Sequence, residues 1–172
     1  MSTVTDSPLV SFYRNETPNN DGYKIEEILS WGPDQWEACH SFIQWLFPTT
    51  TKSNFNPEAP VLTEEDIELF SKDLHLSTVF DDVVSKMMDI YGIELELEYE
   101  ALKWREDGDH DVQWWLKTFN HNALRITRIL ECLNHFGRHE LAKRLYEFLI
   151  ASRPISPTTK GFWSRAAFPD GE

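Results

Sequence analysis

The sequence predicts an all-α protein, with a single compact multi-helix domain behind a flexible N-terminal arm. Apolar residues recur every three to four positions through most of the chain, which is the spacing of amphipathic helices. The 172 residues fit one ordinary domain, and hydrophobic residues make up 41% of them, enough to drive folding. We therefore expect an arm at residues 1–22, a helical domain at 23–168 and a frayed tail at 169–172.

The first predicted helix follows a loop at residues 17–22 that is rich in Pro, Asn and Asp. Apolar residues over 25–29 have the i, i+3, i+4 spacing of a short helix, which should end at residues 31–33. Asp34 then caps a longer, mostly buried helix over residues 36–47.

Pro48 ends that helix, because proline cannot continue the hydrogen-bond ladder. A loop without periodicity follows at residues 49–60, and we expect the apolar Phe55 to pin it to the core. Thr63 opens the next helix, with Asp66 in the third position of a capping box.

A helix over residues 79–91 is predicted by its apolar face and by Gly92, which suits the left-handed position after a helix. Residues 93–100 alternate apolar residues with glutamates, so they form either an edge strand or the start of a polar helix. The sequence leaves that choice open.

The C-terminal half reads as a series of helices. Apolar spacing predicts them over residues 112–119, 121–136, 140–152 and 159–167. Gly137 closes the second, and the prolines between residues 152 and 159 separate the last two.

The net charge of −13 disfavours nucleic acid as a partner, because an acidic surface repels phosphate backbones. Residues Cys39 and Cys132 lie far apart, which favours reduced thiols and a cytoplasmic location. The sequence lacks both an apolar run of the ~20 residues that cross a bilayer and an export signal, so we expect a soluble protein without a membrane span.

A polar stripe lies beside the apolar face of the helix over residues 121–136. It consists of His121, Arg125, Arg128, Cys132 and His135, spaced 4, 3, 4 and 3. Two interpretations stay open: the arginines pair with some of the chain's many carboxylates, or their forked guanidinium groups hold a carboxylate or phosphate ligand. In the second interpretation His121 and Asn122 add neutral hydrogen bonds at the helix start.

His40 and Gln44 form a second candidate pair, four residues apart at the edge of the helix over residues 36–47. Trp45 lies beside them. A hydrogen-bonded core histidine is the alternative interpretation of His40.

The sequence predicts neither a metal site nor a cofactor, and no residue is identified as catalytic. Asp107, Asp109, His110 and Asp111 resemble a ligand cluster, but an EF-hand loop would need Gly at Val112 and Glu at Thr118. A solvated acidic loop explains them. Phosphate-binding loops and nucleophile elbows are also absent from the sequence.

Two segments resemble the opioid growth factor receptor conserved-region family. Residues 40–48, HSFIQWLFP, are similar to the family's first signature, and residues 121–130, HNALRITRIL, to its second. Shorter matches lie between them in order, so the resemblance spans about residues 23 to 167. It implies ligand or partner binding, since the vertebrate member is described as an enkephalin-binding receptor associated with the nucleus.

We therefore expect a binding module whose two signatures pack around one pocket for an anion or a peptide. The expected ligand is a small anion, a peptide or a protein, and the expected binding residues are His40, Gln44, Trp45, His121, Asn122, Arg125 and Arg128. The alternative is an enzyme of unknown reaction, with His40 or His121 as acid or base beside the two arginines. The resemblance also allows a nuclear location.

Overall fold

The computed structural model describes residues 5–106, 114–116 and 121–171. These residues are mostly helical, as predicted, but they also contain a two-stranded sheet, so the all-α class is only partly correct. The chain divides into two units, the first ending at Val84 and the second beginning at Ser85. The domain boundaries expected from the sequence stay predictions.

The first unit contains five short helices and the start of a sixth. They are α1 (Pro8–Tyr13), α2 (Ile25–Ser30), α3 (Pro33–Ala38), α4 (Ile43–Leu46), α5 (Glu64–Lys72) and α6 (Leu74–Ile90), which continues into the second unit. Edge-to-face aromatic pairs form much of its core, including Trp36 with Phe42 and Phe47 with Phe80.

Helix α1 lies within the arm that we expected to be flexible, and the expectation is wrong for these residues. Ser7 caps the helix by accepting a hydrogen bond from the backbone N–H of Val10. Phe12 and Tyr13 are buried, and the Phe12 ring lies 5.2 Å from that of Trp45. The Tyr13 hydroxyl donates to the carbonyl of Leu46. These contacts anchor α1 to the core.

The single helix expected over residues 36–47 is two helices, because residues 39–42 leave the helical conformation. The amide of Asn56 donates to the Ser41 carbonyl at 2.7 Å, and the Ser41 hydroxyl donates to the Asp21 carboxylate. These bonds take polar groups of Ser41 away from a helical ladder. The predicted cap is also shifted, since Gly32 is the N-cap of α3.

The loop at residues 49–60 is confirmed, but its predicted anchor is wrong. Phe55 is 82% exposed, whereas Asn56 is buried and hydrogen-bonded. At Thr63 the capping box is confirmed: its side chain accepts from the backbone N–H of Asp66, and the Asp66 carboxylate accepts from the N–H of Thr63.

Within its described residues, the second unit consists of the end of α6, a β-hairpin and three further helices. Its elements are β1 (Ile93–Glu96), β2 (Ala101–Trp104), α7 (His121–His135), α8 (His139–Ser152) and α9 (Pro157–Ala167). The strands are antiparallel, with Ile93 opposite Trp104, so the open choice at residues 93–100 resolves to a strand and a turn. Gly92 precedes them with φ +75°, as its role after a helix predicts.

Helices α7, α8 and α9 contact one another, and β2 contacts α8. The Trp104 indole donates to the Ser152 hydroxyl at 2.8 Å and attaches the hairpin to α8. The helix predicted over residues 112–119 falls largely outside the described residues, within which Trp114–Leu116 form a 3-10 turn. Among the helices described, none is long and apolar enough to cross a membrane.

Candidate functional site

The predicted binding residues fall in the two different units. His40, Gln44 and Trp45 belong to the first, while His121, Asn122, Arg125 and Arg128 lie together on α7 of the second. Their grouping in a single pocket stays a prediction.

Asn122, on the first turn of α7, is completely buried. Its side-chain carbonyl accepts a hydrogen bond from the Tyr91 hydroxyl at 2.9 Å. The centre of the Tyr91 ring lies 4.2 Å from that of Trp115, with the planes tilted by 32°, and the Trp115 indole donates to the Tyr91 carbonyl. Asn122 therefore fixes the start of α7, and its carbonyl is engaged within the protein.

Arg125 and Arg128 lie about one helical turn apart on the same side of α7. Arg125 is only 6% exposed and Arg128 is half-buried. Burial lowers the pKa of Arg128, and the neighbouring Glu131 offsets only part of that effect. Cations held out of water in this way interact with an anion more favourably than exposed ones do.

The later members of the stripe are also drawn into the protein. Cys132 is completely buried, and burial raises the pKa of its thiol well above the usual range, which makes it a core residue rather than a nucleophile. Burial lowers the pKa of His135, against a smaller opposing effect of Glu131. The stripe thus continues from the buried Cys132 to the half-buried His135.

Helix α9 fixes α7 at two places that sequence reasoning missed. The Trp163 indole donates to the Ala123 carbonyl at 2.9 Å. Ala123 lies two residues before Arg125 on α7. The Asn134 amide donates to the carbonyls of Ala166 and Ala167 at 2.7 and 3.2 Å. A tryptophan and an asparagine give no periodic signal for such long-range bonds, so the sequence could not indicate them.

The structure changes the interpretation of His40. It lies in the non-helical segment between α3 and α4 and is exposed, so the core-histidine interpretation is wrong. The break also means that His40 and Gln44 do not share one helix, so their predicted i, i+4 relation does not hold.

Trp45 belongs to an amide cluster, which we define as Asn20, Ser41, Trp45 and Asn56. The Trp45 indole and the Asn56 amide both donate to the Asn20 side-chain carbonyl, at 2.7 and 3.1 Å. These bonds connect the segment before α2, the start of α4 and the loop at residues 49–60. They orient Trp45 within the first unit.

Gln44 is the residue of this region with an unsatisfied group. It is 6% exposed, and its side-chain oxygen has no hydrogen-bond partner within the part of the chain that the structure describes. A buried acceptor without a donor is costly, and in folded proteins ordered water commonly satisfies such a group. The amide nitrogen of Asn19 is buried and unpaired in the same sense.

Metal ligands are not grouped in the described residues, where no set of three His, Cys, Asp or Glu side chains is placed to hold an ion. The acidic group at Asp107, Asp109, His110 and Asp111 lies outside those residues. The ring nitrogen of His139 lies 2.7 Å from the Asn134 side-chain oxygen.

A cleft of about 340 Å³ separates the N-terminal segment from α5 in the first unit. Its most buried carboxylate, Asp66, accepts from the Ser7 hydroxyl at 2.7 Å. Nearby, Arg14 pairs with Asp6 and Asp73 at 2.9 and 2.8 Å. These bonds give the cleft a structural role in holding α1.

The chain matches one family over nearly its whole length. The pattern described as "Opioid growth factor receptor (OGFr) conserved region" covers residues 3–161. No solved structure matches the chain.

Relatives from vertebrates have similar sequences over the same region. Opioid growth factor receptor-like protein 1 of Rattus norvegicus is 35% identical over 155 residues, which are 86% of this chain and 32% of the relative. The opioid growth factor receptor of Homo sapiens is 34% identical over 151 residues, 84% of this chain and 22% of the relative. The chain thus spans about a fifth to a third of the length of these relatives.

Proposed function

We propose that this chain, which belongs to the opioid growth factor receptor conserved-region family, is a binding module for an anionic group of a peptide or protein. The relatives' names describe receptors for a growth factor, which favours a peptide or protein ligand over a small metabolite. In this proposal Arg125 and Arg128 of α7 hold a carboxylate or phosphate group of the ligand.

The observation that carries the proposal is the position of a buried and a half-buried arginine one turn apart on α7. A guanidinium fork binds carboxylate and phosphate oxygens in pairs, and low local polarity strengthens the attraction. Burial lowers the pKa of Arg128, and a nearby anion would favour its charged form in the opposite sense. Trp163 and Asn134 hold α7 in place, which limits the entropic cost of binding.

Gln44, in the first unit, offers a separate contact for a peptide. Its buried side-chain oxygen has no donor within the described residues, and every peptide backbone supplies N–H donors. Trp45 is buried and its indole donates to Asn20, so it orients this region rather than offering a surface to a ligand.

The test is calorimetric titration with three forms of one short peptide: a free C-terminal carboxylate, a C-terminal amide, and an amide with one phosphoserine. We expect the carboxylate or the phosphoserine form to bind and the neutral amide to bind at least about tenfold more weakly. Equal affinity for all three forms, or none for any, would contradict an anion site. Lys143→Gln, which removes an exposed cation on α8, is the control variant, and we expect it to bind each peptide as the unchanged chain does.

A further inference from the structure

The hairpin of the second unit carries uncompensated negative charge and an exposed aromatic ring at its turn. Tyr99 is 65% exposed, and the adjacent Glu98 is exposed and has no ion-pair partner among the described residues. The turn is held in place, because the Arg144 guanidinium donates to the Tyr99 carbonyl at 3.2 Å. We call Glu98 and Tyr99 the hairpin tip.

Helix α9 has the opposite character on its outer side. Phe162 is 48% exposed, and the Arg165 guanidinium lies 5.0 Å from the centre of its ring. Lys160 is also exposed, and α9 contains no acidic residue. Neither cation has an ion-pair partner within the described residues. We call Lys160, Phe162 and Arg165 the α9 face.

The charge of the chain is divided in the same sense. Residues 121–172 contain eight Lys and Arg against five Asp and Glu, a net charge of +3, whereas residues 1–120 carry −16. The α9 face therefore lies in a basic region of an acidic protein. Screening limits attraction to about 8 Å at physiological salt, so the local charges rather than the total decide what binds there.

We propose that the α9 face binds the hairpin tip of a second copy of this chain. The tip offers a carboxylate to Arg165 or Lys160 and an aromatic ring to Phe162, so both the charges and the apolar surfaces are complementary. Each copy carries both surfaces, and a twofold arrangement forms the contact twice. The association is therefore between identical chains, and its extent depends on the concentration of the protein.

The test is sedimentation equilibrium of the whole chain over a concentration series at low salt. We expect the mass to rise from 20.2 kDa to twice that value, and about 0.5 M salt to weaken the association. Glu98→Arg and Arg165→Glu should each weaken it about tenfold or more, because each places like charges opposite each other. Combining the two reversals should restore it.

The controls separate the contact from a loss of folding or of general charge. Lys143→Glu reverses an exposed cation on α8 and should leave the association unchanged, and circular dichroism should give the same melting temperature for all variants. A constant mass of 20.2 kDa at every concentration overturns the proposal. So does a double reversal that associates no better than the single ones.

Discussion

Arg128 and Arg14 show how differently two arginines of this chain are held. At Arg14 the hydrogen bond to Asp73 outweighs desolvation and raises the pKa, whereas at Arg128 desolvation outweighs the nearby charge of Glu131 and lowers it. The first pattern is typical of a partly exposed structural ion pair. In the second pattern burial has the larger effect, as expected for a cation drawn toward the core.

His135 provides a test of this environment through pH. Burial lowers its pKa below the ordinary value of 6.5, so the folded state binds fewer protons than the unfolded state below that value. His135 therefore contributes a stability that is complete above pH 6.5 and is lost as the pH falls through its lowered pKa. We expect His135→Gln to weaken the fall in stability between about pH 7.5 and pH 5.5.

Urea unfolding at the two pH values measures this effect. His75→Gln, which replaces an exposed histidine on α6, is the control and should keep the wild-type difference. If His135→Gln kept the wild-type pH dependence of stability, burial of His135 would not be the cause of that dependence.

Helix α7 and the segment over residues 36–47 show what periodicity predicts at the level of elements. The sequence predicts α7 to within one residue, because a long apolar face and a terminal Gly agree. It misses the break between α3 and α4, since that break depends on bonds from Asn56 and Asp21 to Ser41, which are distant in sequence. Local pattern carries no information about such partners.

The sequence does not decide between a hairpin and a helix at residues 93–104, because the second strand and the turn give weak local signals. Alternation over residues 93–99 suits a strand, but β2 has only the short sequence ALKW. At the turn, Glu100 has φ 51°, a conformation that usually requires Gly or Asn. A glutamate at this position removes the usual sequence signal of a turn.

Helix α1 is the element whose role can be tested most simply. Phe12 is completely buried beside Tyr13 and Trp45, so Phe12→Ala removes packing from the core of the first unit. We expect a loss of about 3–5 kcal/mol in the free energy of unfolding. Chemical denaturation measures it, with Ser11→Ala in the same helix as the control.

A free energy of unfolding within about 0.5 kcal/mol of wild type would contradict the assignment of α1 to the core. It would return residues 8–13 to the flexible arm that composition alone suggests. The sequence does not indicate the burial of α1, because a six-residue helix is too short to display a periodic apolar face.

The sequence predicts only part of the candidate site. The sequence indicated the charged stripe on α7 because spacing fixes which residues share a helix face. It also predicted a helical pair of His40 and Gln44 that the structure separates. Asn122 is buried and bonded to Tyr91, which lies against Trp115, and only the folded chain brings these residues together.

The charge distribution predicts weak nucleic-acid binding. The net charge of −13 opposes the phosphate contacts that supply most non-specific affinity, although residues 121–172 carry +3. We expect no binding to mixed-sequence duplex DNA or single-stranded RNA tighter than about 10⁻⁶ M at physiological salt. Titrations at two salt concentrations measure it, and a tighter, salt-sensitive affinity would contradict this prediction.

In the proposed function, Arg125 and Arg128 hold an anionic ligand group. The most direct test of this proposal compares binding of the phosphoserine and carboxylate peptides with the melting temperature in Arg125→Leu and Arg128→Leu, with Lys143→Gln as the control. We expect a loss of binding of about tenfold or more with little change in melting temperature. Unchanged binding, with the drop in melting temperature that a broken buried ion pair of about 3–5 kcal/mol produces, would contradict it.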